Sequence, residues 1–547
     1  MLFARCMSWL VLLSLISATH AFDVTMRWNE VHQKITGFGA GSGCPDCHHY
    51  GGSGTTYGNT AADIYKLPEP TRTRCVDLLF DSTKGIGLNV NRMGLSWTLE
   101  DPNGTWHWKE NVYDTAEIWL AKESLKRNSK FLNYCCPWTP PFWMKETQSL
   151  CCAPLASQYY QRYADYFSHF VRDMRDKEGV TMMAASVQNE PQHGGASYGG
   201  CVWSGEQIRN FVKNNLGPTF KRDGLDKATT IMIAESNYGE SQYVDPTVND
   251  PAALAYVGIL GWHQYNDGGF ARPAGKESWS TEQSHGGWSS FGDVGWGEAL
   301  WQNGALYDAI VNKDANVWQY YIFTGWGNGA MFASNGTTID TTAKKFWWLG
   351  HYSKFVRPGW VRIGTSVKTV GDGAKLAAFK NPANGKFAIV IANTGISAPG
   401  NSITVTCEGF TPTKVSAWLT TGDQNTNMAG PTNVPIVNGK FTYLTPNVSI
   451  ATLVGETAAV GADRAIATQT PARMTAARVP SGLRVTMDRP AAGLAELLDS
   501  RGRMVAQWRI DAVREQTLRL SQPLAGGVHF IRMMSDGQAP MRTTVLN

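Results

Sequence analysis

An α/β fold is what this sequence predicts: a (β/α)8 TIM barrel with a side-associated β-sandwich and a small C-terminal all-β module. Three observations predict it. Short apolar runs alternate with helix-like stretches up to about residue 350, a strand–helix alternation that fits a closed parallel barrel. From about residue 353 the pattern changes to short alternating strands separated by Gly, Asn and Pro turns, the signature of an antiparallel sandwich. Near residue 456 an Ala- and Thr-rich stretch interrupts the pattern. The 547 residues, 43% hydrophobic and 17% charged, exceed one average domain and provide for a large core.

In chain order, "MLFARCMSWLVLLSLISATHA" carries one Arg, an apolar run from Trp9 to Ile16 and a small-residue end at Ala21. It is expected to be a secretory signal peptide, residues 1–21, and the chain to be secreted. The run is too short to span a bilayer. Residues 22–37 alternate and read as one or two strands. The barrel, residues 38–352, has eight strand candidates: "ITGFGA", "GIGLNVNRMGLSW", "KFLNYCCPW", "MMAASVQNE", "TTIMIAES", "YVGILGWHQY", "ESWSTEQS" and "ANVWQYYIF". Between them, "LASQYYQRYADYFSHFVRDMRDKEG" and "SGEQIRNFVKNNLGPTFKRDG" are the clearest amphipathic helices. An open doubly wound sheet is the rival. It predicts a Gly-rich phosphate loop opening a helix, and "GFGAGSGCPD" runs into Pro45 and Cys47-His48-His49 instead. The sandwich covers 353–455, a linker 456–475, and the last module 476–547.

A net charge of +4 is too mild for a nucleic-acid partner. Aromatic residues make up 11% of the chain, which suits neutral, hydroxyl-rich ligands as well as a large aromatic core. After the signal, nine cysteines remain: Cys44, Cys47, Cys75, Cys135, Cys136, Cys151, Cys152, Cys201 and Cys407. In an exported chain they favour disulfides. Zinc at Cys44 and Cys47 with His48 and His49 is the weaker reading, because no second ligand pair follows at a regular spacing. No metal and no cofactor is expected, and the chain is expected to be a monomer.

Catalytic groups of such a barrel sit at strand C-termini. The polar strand-ending residues are Arg92, Trp138, Asn189 with Glu190, Glu235, His263 with Tyr265, and Glu282. Any one of them has a structural reading, as a cap of the following helix. Glu190 and Glu282 are 92 positions apart, about three barrel units of roughly 30 residues, which fits strands four and seven. Two carboxyls facing across the mouth can flank a glycosidic bond. About 5–5.5 Å apart, one is a nucleophile and the other an acid/base.

Four motifs in order, "CCPWTPPFWMK", "ASVQNEP", "SWSTEQS" and "HYSKFVRPGWVRIG", resemble glycoside hydrolase family 30, of the clan A retaining β-glycosidases. "ITGFGA" matches the family's opening strand, and the resemblance covers about residues 24–455. It implies a barrel fused to a side sandwich built from the first strand plus the segment after the barrel. It also implies Glu190 as acid/base, Glu282 as nucleophile and Trp138 as floor of the cleaved sugar's subsite. Family members act on xylans, glucuronoxylans, β-1,6-glucans or galactans, short xylosides or glucosylceramides. The resemblance implies that the glucuronoxylan group uses an Arg just after strand eight to hold the glucuronate. "YYIFTGWGNGAMFASNG" has none, which argues against a glucuronate requirement. An endo-acting xylan hydrolase is the expected activity. An endo-β-1,6-glucanase or galactanase, a glucosylceramidase-like enzyme, and a non-catalytic sugar-binding protein are the alternatives. Substrate contacts are expected from Arg92, Trp138, Asn189, His263 and Tyr265, and sugar platforms from Trp143, Trp203, Trp262 and Trp326. The tail, through "LLDSRGRMVAQW" and "PLAGGVHFIRMMSDG", resembles the C-terminal sorting modules of bacterial secreted enzymes, with a carbohydrate-binding module as the alternative.

Overall fold

Each of the eight apolar runs becomes one strand of a closed parallel barrel. The computed structural model describes residues 20–42, 60–193, 199–266, 270, 272–284, 288–289, 295–325, 327–328, 330–370, 373–394, 400–458, 474–479, 482–499, 504–520, 528–534 and 541–546. A first strand, β1 (His20–Lys34), precedes the barrel. The barrel strands are β2 (Gly37–Gly41), β3 (Val90–Gly94), β4 (Leu132–Cys136), β5 (Met182–Ser186), β6 (Thr230–Ser236), β7 (Val257–His263), β8 (Glu277–Glu282) and β9 (Val317–Gly325). They pair in chain order, and β9 closes the ring by pairing with both β8 and β2. Strands buried on both faces need no polar alternation, which is why they read as plain apolar runs. Val90, Tyr134, Cys136, Trp138, Ala184, Met232, Ile259, Trp279 and Val317 pack inside the ring. Gly39 is required by closure: a Cβ there would lie 2.0 Å from the Val90 carbonyl oxygen.

The two expected helices form, with one difference. The first is continuous over Tyr160–Asp176 and buries Tyr163, Phe167, Phe170 and Met174. The second starts at Gly205 behind a capping box of Ser204 and Gln207, widens into a π turn at Val212–Leu216, and resumes at Gly217–Arg222. Pro218 has no N–H to give to the preceding turn, and the Gly217 N–H reaches back five residues to Val212.

The region after the barrel is a single curled mixed sheet of eleven hydrogen-bonded strands. Its core strands are β10 (Val361–Thr365), β11 (Ala374–Lys380), β12 (Lys386–Asn393), β13 (Asn401–Glu408), β14 (Pro412–Thr421), β15 (Lys440–Thr445) and β16 (Ser449–Thr457). β1 inserts between β10, antiparallel, and β13, parallel. The parallel pairing arises because β1 comes from the other side of the barrel in sequence and needs no hairpin to β13. Its ladder with β13 begins at His20, so cleavage after Ala21 would trim two positions from it. The first nineteen residues, Cys44, Cys47, Trp326 and residues 459–473 of the expected linker lie outside the described residues.

The helix Lys344–Ser353 ties the barrel to this sheet through a buried histidine. His351 Nδ1 lies 2.8 Å from Thr452 Oγ1, and Nε2 lies 2.9 Å from Thr420 Oγ1. The Thr452 hydroxyl donates to the His351 carbonyl, so it accepts from Nδ1–H, and Nε2 accepts from Thr420. The neutral ring is fully satisfied, and burial pushes its pKa down to about 3. The unfolded chain therefore binds a proton here that the folded chain does not. Stability is expected to fall as pH drops from about 6.5 toward about 3, by several kcal/mol at full extent. A His351→Gln variant should lose part of that acid sensitivity in urea unfolding at pH 4 and pH 7. An unchanged difference between the two pH values would contradict the assignment.

The C-terminal unit, residues 459–547, is separate. It is a five-stranded antiparallel sheet of Met474–Val479, Gly482–Leu498, Met504–Leu518, Val528–Met534 and Met541–Leu546. Leu483, Val485, Ala495, Leu497, Leu518 and Ile531 form its core.

The expectation of disulfides is corrected for the described cysteines. Cys75, Cys135, Cys136, Cys151, Cys201 and Cys407 are free thiols. Four of them are packed into the core as small apolar residues, and burial pushes the Cys201 thiol up to about 12. Among the described residues no helix is long and apolar enough to cross a membrane.

Candidate active site

Barrel closure carries the strand-ending polar residues to one mouth. Arg92 is on the second barrel strand, Glu190 follows the fourth, Glu235 is near the end of the fifth, His263 ends the sixth and Glu282 the seventh. Glu190 lies four residues past the end of β5, where its N–H donates to the Glu235 carbonyl at 3.1 Å. The backbone is left-handed at Glu190 (φ 44°), Ala234 (φ 75°) and Glu235 (φ 49°). Three such non-glycine residues at the ends of two neighbouring strands are strain held by the surrounding packing, a feature that clusters at functional sites.

Arg92 organises the floor. It is 1% exposed. Its Nε donates to Glu235 Oε1 at 3.0 Å, Nη1 to Glu282 Oε2 at 2.7 Å and Nη2 to Asn189 Oδ1 at 2.5 Å. The planar fork of a guanidinium is the side chain that reaches three acceptors in different directions. Its plane also lies over the Trp138 ring, 4.5 Å from the centroid. Burial alone would raise the Glu235 carboxyl. Arg92 and His263 overcome it and hold Glu235 below the usual carboxylate range. Tyr134 donates to Gln319 at 2.8 Å and lies 3.4 Å from Glu235, fixing the same floor from β4.

The two candidate carboxyls meet above this floor. Oxygens of Glu190 and Glu282 lie within 4.8 Å of each other and of a ring nitrogen of His263. His263 Nδ1 is 3.0 Å from Glu190 Oε1. Its Nε2 is 3.3 Å from Arg92 Nη2, a group that only donates, so the Nδ1 nitrogen carries the proton and donates to Glu190. Burial pulls His263 down, but the Glu282 and Glu190 carboxylates raise it by more. Tyr265 donates to Glu282 Oε1 at 3.0 Å. Burial pushes the Glu282 carboxyl up, and Glu190 adds to that, against His263, Arg92 and Tyr265. Two carboxyls this close resist ionising together.

Of the residues named from sequence, Arg92, Trp138, Asn189, Glu190, His263, Tyr265 and Glu282 meet at this mouth. The expected platforms among the described residues, Trp143, Trp203 and Trp262, do not. Trp203 is 2% exposed and packed against Tyr160 and Phe211, so its faces are taken up by core side chains. Trp262 turns to the helix layer, with its indole N–H on Ser278 and Lys313 over its ring. Trp143 donates to the Glu100 carbonyl and stacks under Arg162. Trp138 has one face covered by Arg92. Two residues of the site, Tyr134 and His193, carry no sequence signal of their own. His193 Nε2 lies 3.2 Å from Glu190 Oε2.

Residues 51–292 match the model of the Glycosyl hydrolase family 30 TIM-barrel domain. The chain is 29% identical over 451 residues to a protein of Bacillus subtilis (strain 168) named glucuronoxylanase XynC, covering 79% of this chain and 92% of that one. It is 26% identical over 396 residues to putative glucosylceramidase 1 of Caenorhabditis elegans, covering 63% and 73%. The solved structure of the family 30 subfamily 8 xylanase Xyn30A from Clostridium acetobutylicum is similar with a TM-score of 0.64 and 25% identity, covering 79% of this chain and 99% of that one.

Proposed function

We propose, from the premise that this chain is a glycoside hydrolase of family 30, that it is an exported, retaining, endo-acting xylan hydrolase with no requirement for glucuronate. The observation that carries the retaining mechanism is the approach of the Glu190 and Glu282 oxygens to within 4.8 Å. Inverting enzymes keep their carboxyls about 6.5–9.5 Å apart to seat a water between them.

In this reading a carboxylate oxygen of Glu282 attacks the anomeric carbon. The bond from that carbon to the glycosidic oxygen breaks, and Glu190 gives its proton to the departing oxygen. A glycosyl ester on Glu282 results. Glu190, now ionised, takes a proton from a water as that water attacks the same carbon, and Glu282 leaves as carboxylate. Arg92 and Tyr265 donate to Glu282 and favour its ionised form against burial. Asn189 has its oxygen committed to Arg92, so its NH2 is the group available to the 2-hydroxyl of the sugar.

Xylan is favoured because the Bacillus relative is named a glucuronoxylanase and the Clostridium structure a xylanase. Independence from glucuronate is favoured by the lack of any Arg from Tyr320 to Gly336. Export is favoured by residues 1–21, which read as a signal peptide. The test is a panel of unsubstituted xylan, glucuronoxylan, β-1,6-glucan, β-1,6-galactan and glucosylceramide. Comparable kcat/KM on unsubstituted xylan and glucuronoxylan is expected, with a mixture of oligosaccharides as early products. Cleavage of glucuronoxylan alone, or preference for one of the last three, would overturn the substrate reading.

A further inference from the structure

We propose that His193 is a positioning residue for the general acid: its Nε2 accepts from Glu190 and so keeps that carboxyl protonated on Oε2. The proposal rests on the acid/base reading of Glu190. It starts three contacts away from the carboxyl, at Asn266. Asn266 Nδ2 lies 3.4 Å from the carbonyl of Asn237 and 3.0 Å from its Oδ1. A backbone carbonyl only accepts, so Asn266 presents its NH2 and Asn237 meets it with oxygen. The NH2 of Asn237 is then the group turned to His193 Nε2, at 3.3 Å. An amide NH2 donates. Nε2 therefore carries a lone pair, and Nδ1 the ring proton.

Glu190 Oε2 lies 3.2 Å from that same Nε2. An ionised oxygen there would face that lone pair, whereas a protonated one donates into it, sharing it with the Asn237 N–H in a three-centre contact. The other oxygen, Oε1, is already an acceptor, because His263 Nδ1–H donates to it. The proton of the neutral carboxylic acid is thus assigned to Oε2, on the side of His193. His193 is 31% exposed, while His263 is fully buried, so Oε2 is the oxygen on the more open side of the site.

The charged and titratable groups around Glu190 come from five elements. Arg92 on β3, Glu235 on β6, His263 and Tyr265 at the end of β7, and Glu282 on β8 surround it, with His193 on its own loop. Tyr238 stands edge-on to His193 with centroids 6.2 Å apart. Donation from His263 favours the ionised form of Glu190. The nearby Glu282 carboxylate and acceptance by His193 favour the acid form. In turnover the proton leaves Oε2 for the glycosidic oxygen and is replaced from the attacking water.

The sign of the effect is testable on the full chain. His193→Phe removes the acceptor and keeps a ring. It should move the alkaline limb of the kcat/KM profile down by about one pH unit. At neutral pH it should cost about tenfold on xylotetraose and under about twofold on 2,4-dinitrophenyl β-xylobioside, whose leaving group needs no proton. His193→Gln, which can accept through its amide oxygen, should restore most of the limb. An alkaline limb that moves up would make His193 a cationic donor and overturn the proposal. So would an unmoved limb, or equal losses on both substrates. Glu190→Ala separates the underlying reading: its activity on the dinitrophenyl substrate should be rescued by azide. Failure of that rescue removes the acid/base role of Glu190 itself, whereas rescue with an unmoved limb in His193→Phe removes only the role of His193.

Discussion

Glu282→Ala is expected to lower kcat on xylan by about ten-thousand-fold or more while leaving the unfolding temperature within ~1 °C of the parent, equivalent to about 1 kcal/mol. The loss is large because the variant has no group to form the glycosyl ester. The stability change is small because two effects oppose. The bonds from Arg92 Nη1 and Tyr265 are lost. The crowding of a buried carboxylate against Glu190 is relieved, and Arg92 keeps Glu235 as its partner. Unlike Glu190→Ala, this variant should not recover retaining turnover on activated substrates. Added azide can give it at most inverted glycosyl azide. In the parent enzyme the raised Glu282 carboxyl sets the sign of the acid limb. Activity needs Glu282 ionised, so it should fail on acidification at a pH above the ordinary Glu value of about 4.3. Kinetics from pH 3 to pH 7 check this, and a limb at or below the ordinary value would contradict it.

Arg92→Met should damage both stability and activity. It leaves Glu235, which is fully buried, without its cation, and removes a donor from Glu282. Breaking one side of a buried ion pair costs about 3–5 kcal/mol. For a unit of this size that corresponds to a fall in unfolding temperature of about 3–5 °C. Activity should drop more than about a thousandfold, because Asn189 and Glu282 lose the group that aligns both. Combining Arg92→Met with Glu235→Leu removes the stranded carboxylate. That double variant should recover most of the stability and none of the activity. Thermal unfolding of the three proteins decides the point: an Arg92→Met midpoint within ~2 °C of the parent would contradict the central place given to Arg92.

The barrel was legible because its strands are buried on both faces and end in polar residues, so that "MMAASVQNE" and "SWSTEQ" mark their own C-termini. The pairing of Glu190 with Glu282 followed from unit spacing. The Arg92–Glu235 link did not, because the two residues are 143 positions apart and nothing in either strand names the other. The platforms expected at Trp143, Trp203 and Trp262 failed for a different reason. Residue type does not say which face of a strand a side chain takes. Alternation alone excludes Trp262 once His263 is assigned to the mouth, since neighbours on a strand point to opposite sides. Trp203 sits in a loop segment with no such period, and its burial depends on Tyr160 and Phe211 from two helices. Cysteine count likewise carries no information on burial. Cys75, Cys135, Cys136 and Cys201 serve as small core residues, whatever a signal-like N-terminus leads one to expect. The curled sheet was legible as strands but not as one surface, because β1 joins it from the far end of the sequence.

The central claim is that Glu190 and Glu282 act as an acid/base and nucleophile pair. The anomer of the first-formed reducing end tests it most directly. Proton NMR of xylohexaose hydrolysis, followed from the first minute with fresh enzyme, should show the β-anomer appearing first and the α-anomer growing only by mutarotation. Initial release of the α-anomer would mean that water attacks in a single step, and would contradict the account.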